Sequence, residues 1–177
     1  MFGLTLGCSQ TNSPSDTPKD THATVPNHWS DLVEKTGEFE EDWAANWPDF
    51  VEPLGDGAAV IRSLDQGQKL DLEWAQQSSV ACFPANINEA FSGHTLFFAL
   101  QQPAERSLQI HVESAPDTDS SLWVIQQGGT RYDTPPDIAQ AIQCETSWRA
   151  GAGEIESVEL SAPDHDYNVL IGVAGQE

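Results

Sequence analysis

Two pairs of aspartates have a spacing that favours metal chemistry. The first pair is Asp117 and Asp119, and the second is Asp164 and Asp166, which flank a histidine in a predicted turn. Calcium takes about six to eight oxygen ligands, and an Asp-x-Asp loop brings two carboxylates together. The pairs indicate calcium as the candidate cofactor. Aspartate is also common in turns because its side chain hydrogen-bonds to nearby backbone groups, so a purely structural role stays open.

Tryptophan offers a second kind of chemistry, because six of the 177 residues are tryptophan. An aromatic ring can stack on a sugar or fill a pocket of a partner protein. We expect Trp43, Trp47 and Trp148 to be the exposed rings, and Arg149 adjoins the last of them. These four residues are the candidate binding residues for a protein or a glycan at the cell surface. The alternative for the first two is that they pack against their own domain.

Catalytic motifs are missing from the sequence. It contains no G-x-S-x-G elbow, no glycine-rich phosphate loop before a helix and no H-E-x-x-H motif, and its five histidines lie far apart. A carboxylate pair for glycoside hydrolysis is defined by distance in space, so sequence spacing does not identify one. We therefore expect a protein that is not an enzyme. A small exported hydrolase, or a subunit that regulates one, is the alternative.

The residues before Cys8 resemble the end of a bacterial lipoprotein signal, with Leu4, Leu6 and Gly7 in front of the cysteine that takes the lipid. By the same resemblance, Ser9 favours sorting to the outer membrane. Seven residues are too few for a basic and an apolar signal region, so this interpretation expects a start further upstream. The alternative is an ordinary N-terminus with a free thiol.

The number of cysteines agrees with export. Three cysteines are present, and lipidation of Cys8 would leave Cys82 and Cys144 as a pair. Disulfides persist in oxidising compartments, so we expect one between these two residues in an exported protein. Two buried thiols are the alternative.

The charge excludes another class of function. The chain has 28 acidic and 7 basic residues and a net charge of −21. A protein that binds phosphate backbones needs clustered lysine and arginine, so nucleic acid is not an expected partner. With 38% hydrophobic residues, the chain can still bury one core.

Composition divides the chain into four parts. Residues 1–8 are the predicted signal remnant, and residues 9–27 form a linker rich in serine, threonine and proline. Residues 28–53 are acidic and aromatic, and their three- and four-residue apolar spacing predicts one helix with a defect at Gly37, or two short ones. Residues 54–177 alternate like β-strands with turns between them, which is typical of an antiparallel sandwich.

Several of these strands are predicted from alternation or from short apolar runs. The stretch at 134–144 is ambiguous between a loop and a helical turn. The predicted strands are 58–62, 70–74, 95–100, 108–112, 121–126, 157–160 and 167–173.

Motifs in the β region resemble those of bacterial pre-peptidase C-terminal domains. Residues 91–100 are similar to the family's F-x-G-x-x-x-F-Y-x-L strand, and residues 117–125 to its D-x-D turn and strand. Residues 153–160 are similar to the G-x-x-E strand, and residues 166–173 to the closing Y-x-I-x-V strand. The resemblance implies a jelly-roll-like β-sandwich that does not catalyse reactions, and that acts in binding, adhesion or structural support, in some members with calcium.

The expected protein is thus mainly β, an antiparallel jelly-roll-like sandwich after a flexible linker and a short α-helical segment. We expect it to be exported, and either anchored to the outer membrane by lipid on Cys8 or periplasmic or extracellular. A subunit of a surface assembly, docked through the acidic-aromatic segment, is a further alternative.

Overall fold

The computed structural model of the chain describes residues 2–10, 33–82, 85–149 and 151–176. Nearly all of the predicted linker at 9–27 lies outside these residues. Two short α-helices occur, α1 (Glu41–Ala44) and α2 (Glu73–Gln77), together with 3₁₀ turns at Leu64–Gln66 and Ala85–Phe91. None of the helices within the described residues has the length and apolar character needed to cross a membrane.

Ten strands form the rest of the regular structure. The first four are β1 (Phe2–Gln10), β2 (Val51–Pro53), β3 (Ala59–Arg62) and β4 (Gln68–Lys69). The other six are β5 (His94–Gln102), β6 (Arg106–Ser114), β7 (Ser120–Gly128), β8 (Gln143–Ser147), β9 (Ile155–Leu160) and β10 (Tyr167–Gly175).

The strands form two sheets, as expected for a mainly β protein. The four-stranded sheet has the order β3-β1-β6-β9. The six-stranded sheet has the order β2-β5-β10-β7-β8, and β4 joins it beside β5. All pairings are antiparallel except that of β2 with β5.

An inner apolar cluster lies between the two sheets. The four-stranded sheet contributes Leu4, Val60 and Ile110, and the six-stranded sheet contributes Phe98, Val124 and Ile171. A second, outer cluster covers the other face of the six-stranded sheet and includes residues of α1, α2 and β2. Because both faces of β5, β7 and β10 are buried, these strands are nearly continuous apolar runs.

Strand β1 occupies the residues that we interpreted as the remnant of an export signal. Residues 2–5 pair with β3, and residues 2–10 pair with β6, which places β1 inside the four-stranded sheet. A short apolar run fits a buried strand as well as a truncated signal, and periodicity alone does not separate the two. The sheets therefore include residues far outside the predicted sandwich range of 54–177.

Two local predictions differ from the structure. Within the described part of 28–53, the three- and four-residue spacing yields only the single turn α1, because Gly37 has a positive φ of 74° and packs against the backbone of Gly55. The predicted strand at 70–74 is replaced by the start of α2, where the Asp71 carboxylate accepts a hydrogen bond from the backbone N–H of Glu73. That local bond makes an Asx turn just before the helix, and the turn interrupts the extended backbone that a strand needs.

Candidate binding cleft

A cleft of about 590 Å³ opens along one edge of the six-stranded sheet. Strand β2 runs beside residues 97–99 of β5, and β4 runs beside residues 94 and 95 of the same strand. Both are too short to cover the edge of β5 between them, and the space left there is the cleft. It is lined by residues 49–53, Arg62, residues 66–68 and residues 95–97.

Phe50 gives the cleft an aromatic surface. Its side chain is 47% exposed although it is large and apolar. Its ring lies edge-on to Phe97, with ring centroids 5.6 Å apart and an interplanar angle of 70°. Phe97 is buried, so it supports Phe50 from below and leaves part of the Phe50 ring available to a ligand.

An ion pair between Glu52 and Arg62 spans the two sheets at the cleft. The Arg62 Nε donates to one Glu52 oxygen at 2.8 Å, and its Nη2 donates to the other. The Arg62 Nη1 also donates to Glu34 at 2.7 Å. The hydrogen bond to Glu52 is the main cause of a raised pKa of Arg62. Both oxygens of Glu52 are thus already engaged by the guanidinium group.

Glu34 is held as an anion at the outer side of this pair. The backbone N–H of Ile61 donates to Glu34 at 2.9 Å, and this bond, followed by that from Arg62, lowers the pKa of the carboxyl group. Arg62 therefore lies between two carboxylates, and little of its charge remains for an anionic ligand.

The hydroxyl group of Thr95 is the unusual polar atom of the cleft. Thr95 is only 1% exposed, and its Oγ1 has no hydrogen-bond partner among the described residues. A buried hydroxyl without a partner costs free energy, and most such groups in proteins are satisfied. Thr95 belongs to the lining of the cleft, but its Oγ1 is covered and is not open to a ligand there.

The aspartate pairs lie at opposite ends of the sheets. Asp117 and Asp119 are in the loop between β6 and β7, and Asp164 and Asp166 are in the loop between β9 and β10. Strands β7 and β10 are antiparallel and nine residues long, so roughly 30 Å separates the two loops. The four carboxylates do not form one metal site. Within the described ranges, no three acidic, histidine or cysteine side chains are grouped to hold a metal.

Two of these aspartates hold backbone turns. Asp119 accepts a hydrogen bond from the backbone N–H of Gly151 at 3.3 Å, and Asp166 accepts one from that of Ala104 at 2.8 Å. Asp164 accepts one from the Tyr167 hydroxyl at 3.2 Å. These contacts are the turn-stabilising hydrogen bonds expected under the alternative to calcium binding.

The structure brings only part of the predicted aromatic site to the surface. Trp43 and Trp47 are buried in the outer cluster, so the prediction that they are exposed is wrong. Their indole rings pack edge to face, and Trp47 packs in the same way on Tyr132. Trp148 is 47% exposed as predicted, and Arg149 beside it is also exposed. Neither residue lines the cleft.

The predicted disulfide between Cys82 and Cys144 is confirmed, with Cα atoms 5.5 Å apart. It ties the segment after α2 to β8 at the edge of the six-stranded sheet. Trp43, Trp47 and the disulfide all help to cover the outer face of this sheet, and none of them contributes to the cleft.

No protein-family model, no curated protein and no solved structure matches the chain.

Sequence reasoning missed the cleft because three separate segments build it. Phe50 and Glu52 lie in the acidic-aromatic segment, whereas Arg62 and Thr95 lie about ten and forty-five residues further along the chain. An exposed phenylalanine next to a proline-containing turn was the one available signal. Its meaning depends on the positions of β4 and β5, which no local pattern specifies.

Proposed function

We propose that this protein is a binding module without enzymatic activity, and that its cleft binds a neutral glycan. The observation that carries the proposal is the combination, in one cleft, of an exposed phenylalanine with amide and carboxylate side chains. An apolar surface with a few polar groups that fix orientation is the usual form of a small-molecule site. A volume of about 590 Å³ is within the range of such sites.

The polar groups of the cleft suit hydroxyl-rich ligands. Gln66 and Gln68 offer amide donors and acceptors, and Asp49 offers carboxylate acceptors. The Phe50 ring can lie against the apolar face of a sugar. The chain carries a net charge of −21, and the one cation of the cleft is already paired, so an anionic glycan would be repelled.

Hydrolysis is less well supported than binding. A glycosidase needs two available carboxyl groups across the scissile bond. The cleft contains Asp49 and Glu52, but the Arg62 guanidinium occupies both oxygens of Glu52. Of the two carboxyl groups, only Asp49 has uncommitted oxygens among the residues that the structure describes.

The wider context of the proposal is the cell envelope. The disulfide is consistent with an exported protein, since such bonds persist outside the cytosol. A jelly-roll-like sandwich of the pre-peptidase type would be a stable scaffold for the cleft. Attachment to the outer membrane through Cys8 is an alternative form of this proposal. Cleavage before Cys8 would remove residues 2–7, including every residue that pairs with β3, so a lipidated protein would lack an intact β1.

The test is binding of defined neutral oligosaccharides. Hexamers of glucose with β-1,4 or β-1,3 linkage, of N-acetylglucosamine and of mannose are titrated into the ¹⁵N-labelled protein, and amide shifts are followed by NMR. We expect one class to shift residues 49–53 and 95–97, and Phe50→Ala to weaken its binding at least about tenfold, the equivalent of about 1.4 kcal/mol.

Phe39→Ala is the matched control, because Phe39 is 38% exposed but packs on Trp43 and does not line the cleft. It should bind like the wild type. Trp148→Ala tests the other exposed ring. Shifts confined to residues around Trp148, or equal losses for the two phenylalanine variants, would contradict the proposal. Cleavage of the oligomers in the same samples would support the hydrolase alternative.

A further inference from the structure

Strand β1 differs from the other strands in how the chain reaches it. All nine of its residues pair with β6, and residues 2–5 also pair with β3 on the other side. Its partners are distant in sequence, since Gln10 pairs with Arg106. The strand is held by backbone pairing across chain segments and by burial of Leu4, which is 0% exposed in the inner cluster.

Without β1 the four-stranded sheet would have a gap one strand wide. We call this gap, between residues 59–62 of β3 and residues 106–114 of β6, the slot. Both of its walls are antiparallel to β1 and present backbone N–H and C=O groups that β1 now satisfies. Unpaired edges of this kind are templates for another strand, because main-chain hydrogen bonds give the affinity. The base of the slot is the part of the inner apolar cluster that the Leu4 side chain now fills.

The connection that follows β1 is much longer than the distance it must span. The next described pairing is a bridge between Lys35 and Ala59, on the far side of β3. Since Ala59 also pairs with Thr5, strand spacings place Lys35 about 20 Å from Gln10. The intervening chain can extend to roughly 80 Å. The same length that lets β1 enter its own slot therefore lets it reach the slot of a second molecule.

We propose that, in the uncleaved chain, the slot accepts β1 from a second copy of this chain when its own β1 cannot reach it, which gives a dimer in which the two molecules exchange β1. Every pairing of the exchanged dimer also exists in the monomer, so the two forms differ only in chain connection. Tethering holds a strand near its own slot at an effective concentration of about millimolar. The intact chain is therefore a monomer at micromolar concentration, and the dimer forms when the tether cannot reach.

The deciding experiment shortens the tether. Deleting residues 11–30 leaves four residues between Gln10 and Lys35, which span at most about 17 Å. This variant cannot keep all nine residues of β1 paired in its own slot, and we expect it to be a folded dimer at about 10 µM, measured by analytical ultracentrifugation and circular dichroism. A chain in which the same twenty residues are replaced by a Gly/Ser sequence of equal length is the matched control, and it should stay a monomer.

Two further variants separate strand exchange from other causes of dimerisation. Leu4→Asp in the shortened chain places a charge in the inner cluster and should abolish the dimer. In the full chain with a specific protease site introduced into residues 11–30, a fluorescent peptide of residues 1–10 should replace the cut strand, and the same peptide with Leu4→Asp should not.

The outcomes are distinct. A shortened chain that is a monomer with the stability of the full chain would show that β1 is dispensable, and it would overturn the proposal. A shortened chain that is unfolded at every concentration, or a cut protein that never takes up the peptide, would also overturn it. None of these results requires a ligand in the cleft, although Arg62 belongs both to the lining of the cleft and to the wall of the slot.

Discussion

At the scale of single residues, Asn168 connects three parts of the molecule. It is fully buried at the start of β10. Its side-chain oxygen accepts a hydrogen bond from the Trp43 indole at 2.7 Å, and its NH₂ group donates to the carbonyl oxygens of Gly129 and Arg131. The residues before β2 are thus bonded directly to the sheet.

Replacing Asn168 by leucine should therefore be strongly destabilising. The indole N–H and two carbonyl groups would lose their partner inside the protein, at a cost of about 1–3 kcal/mol for each group left buried without one. We expect the free energy of unfolding to fall by about 2–4 kcal/mol in urea titration. Asn46→Ala is the control, because the Asn46 side chain bonds at the surface to the Asp42 carbonyl. A loss no greater than that of the control would show that this network contributes little.

Glu156 is a fully buried carboxyl group on β9. Burial raises its pKa above the ordinary glutamate value of 4.5, while the donating Ser147 hydroxyl and the Arg149 backbone N–H, 2.6 Å away, offset part of that effect. The folded state then binds a proton more tightly than the unfolded state. Stability from this group is present in full below pH 4.5 and is lost as the pH rises through the folded pKa.

Glu156→Gln should remove this pH dependence. The amide keeps an acceptor for Arg149 and can donate to Ser147, and it carries no charge to bury. We expect the unfolding free energy of the variant to exceed that of the wild type at pH 7 and to converge with it near pH 4, as measured by urea titration at each pH. Glu159→Gln, on the exposed face of the same strand, is the control and should leave the wild-type profile unchanged. If the unfolding free energy of the wild type rose with pH, and Glu156→Gln removed that rise, the direction assigned to the pKa shift of Glu156 would be wrong.

At the scale of elements, the packing of β7 against β10 depends on a glycine. Trp123 and Gly172 are cross-strand partners, and the indole ring lies over the glycine so closely that a methyl group at residue 172 would overlap it. Trp123 is fully buried and packs on Phe97 with ring centroids 5.8 Å apart. The ring therefore has no free space into which it could move.

Gly172→Ala should destabilise the protein by about 1–3 kcal/mol or more, the range of overpacked cores. A lower melting temperature and a changed tryptophan fluorescence are the expected readouts. Gly128→Ala is the control, because the nearest atom to a methyl group there is on the Arg131 side chain, 3.9 Å away. Equal melting temperatures for the two variants would mean that the indole can shift at little cost.

The disulfide is the second element whose contribution can be measured. Cys82 and Cys144 are 62 residues apart, and closing a loop of that length stabilises a fold by at most about 4 kcal/mol on the chain-entropy account. The Cys82→Ser, Cys144→Ser double variant should lose up to that amount and still fold, because neither residue lies in the inner cluster. If the double variant is as stable as the wild type, the disulfide does not stabilise the fold by restricting the conformational entropy of the unfolded chain.

The elements also show what a sequence can predict. Strands β5, β6, β7, β9 and β10 were predicted correctly. Alternation of apolar and polar residues indicates a strand that is buried on one face, and an apolar run between turn residues indicates one that is buried on both. Strand β8 was missed because Cys144 and its neighbours are half-buried at a sheet edge and carry no apolar signal. The cleft was missed for a related reason. Phe50 and Thr95 become neighbours only through the pairing of β2 and β4 with β5, which is a long-range property.

At the scale of the whole molecule, the excess of negative charge dominates. Of the seven basic residues, Arg62, Arg106 and Arg131 each form an ion pair with a carboxylate. Pairing of these few cations leaves most of the 28 acidic side chains without an opposite charge. Repulsion among them opposes the compact state, and salt screens it within a distance of about 10 Å at 0.1 M.

The melting temperature should accordingly rise as sodium chloride increases from about 0.01 to 0.5 M, over the range in which screening changes most. The same scan tests calcium at the two aspartate pairs. Calcium chloride is compared with sodium chloride plus chelator at the same ionic strength. If the aspartates bind calcium, the melting temperature should be higher in calcium chloride. Coincident curves would assign the whole effect to screening, and a melting temperature that is independent of salt would contradict the role given to charge repulsion.

The place of β1 inside the four-stranded sheet has a consequence for the order of biosynthesis. Residues 2–10 leave the ribosome early, yet Gln10 finds its partner Arg106 only after 96 further residues have been made. At translation rates of about 5–20 residues per second, β1 waits roughly 5–20 s in the growing chain before β6 is available. The four-stranded sheet therefore cannot close around β1 until β6 has been made, whereas pairing with β3 can form earlier.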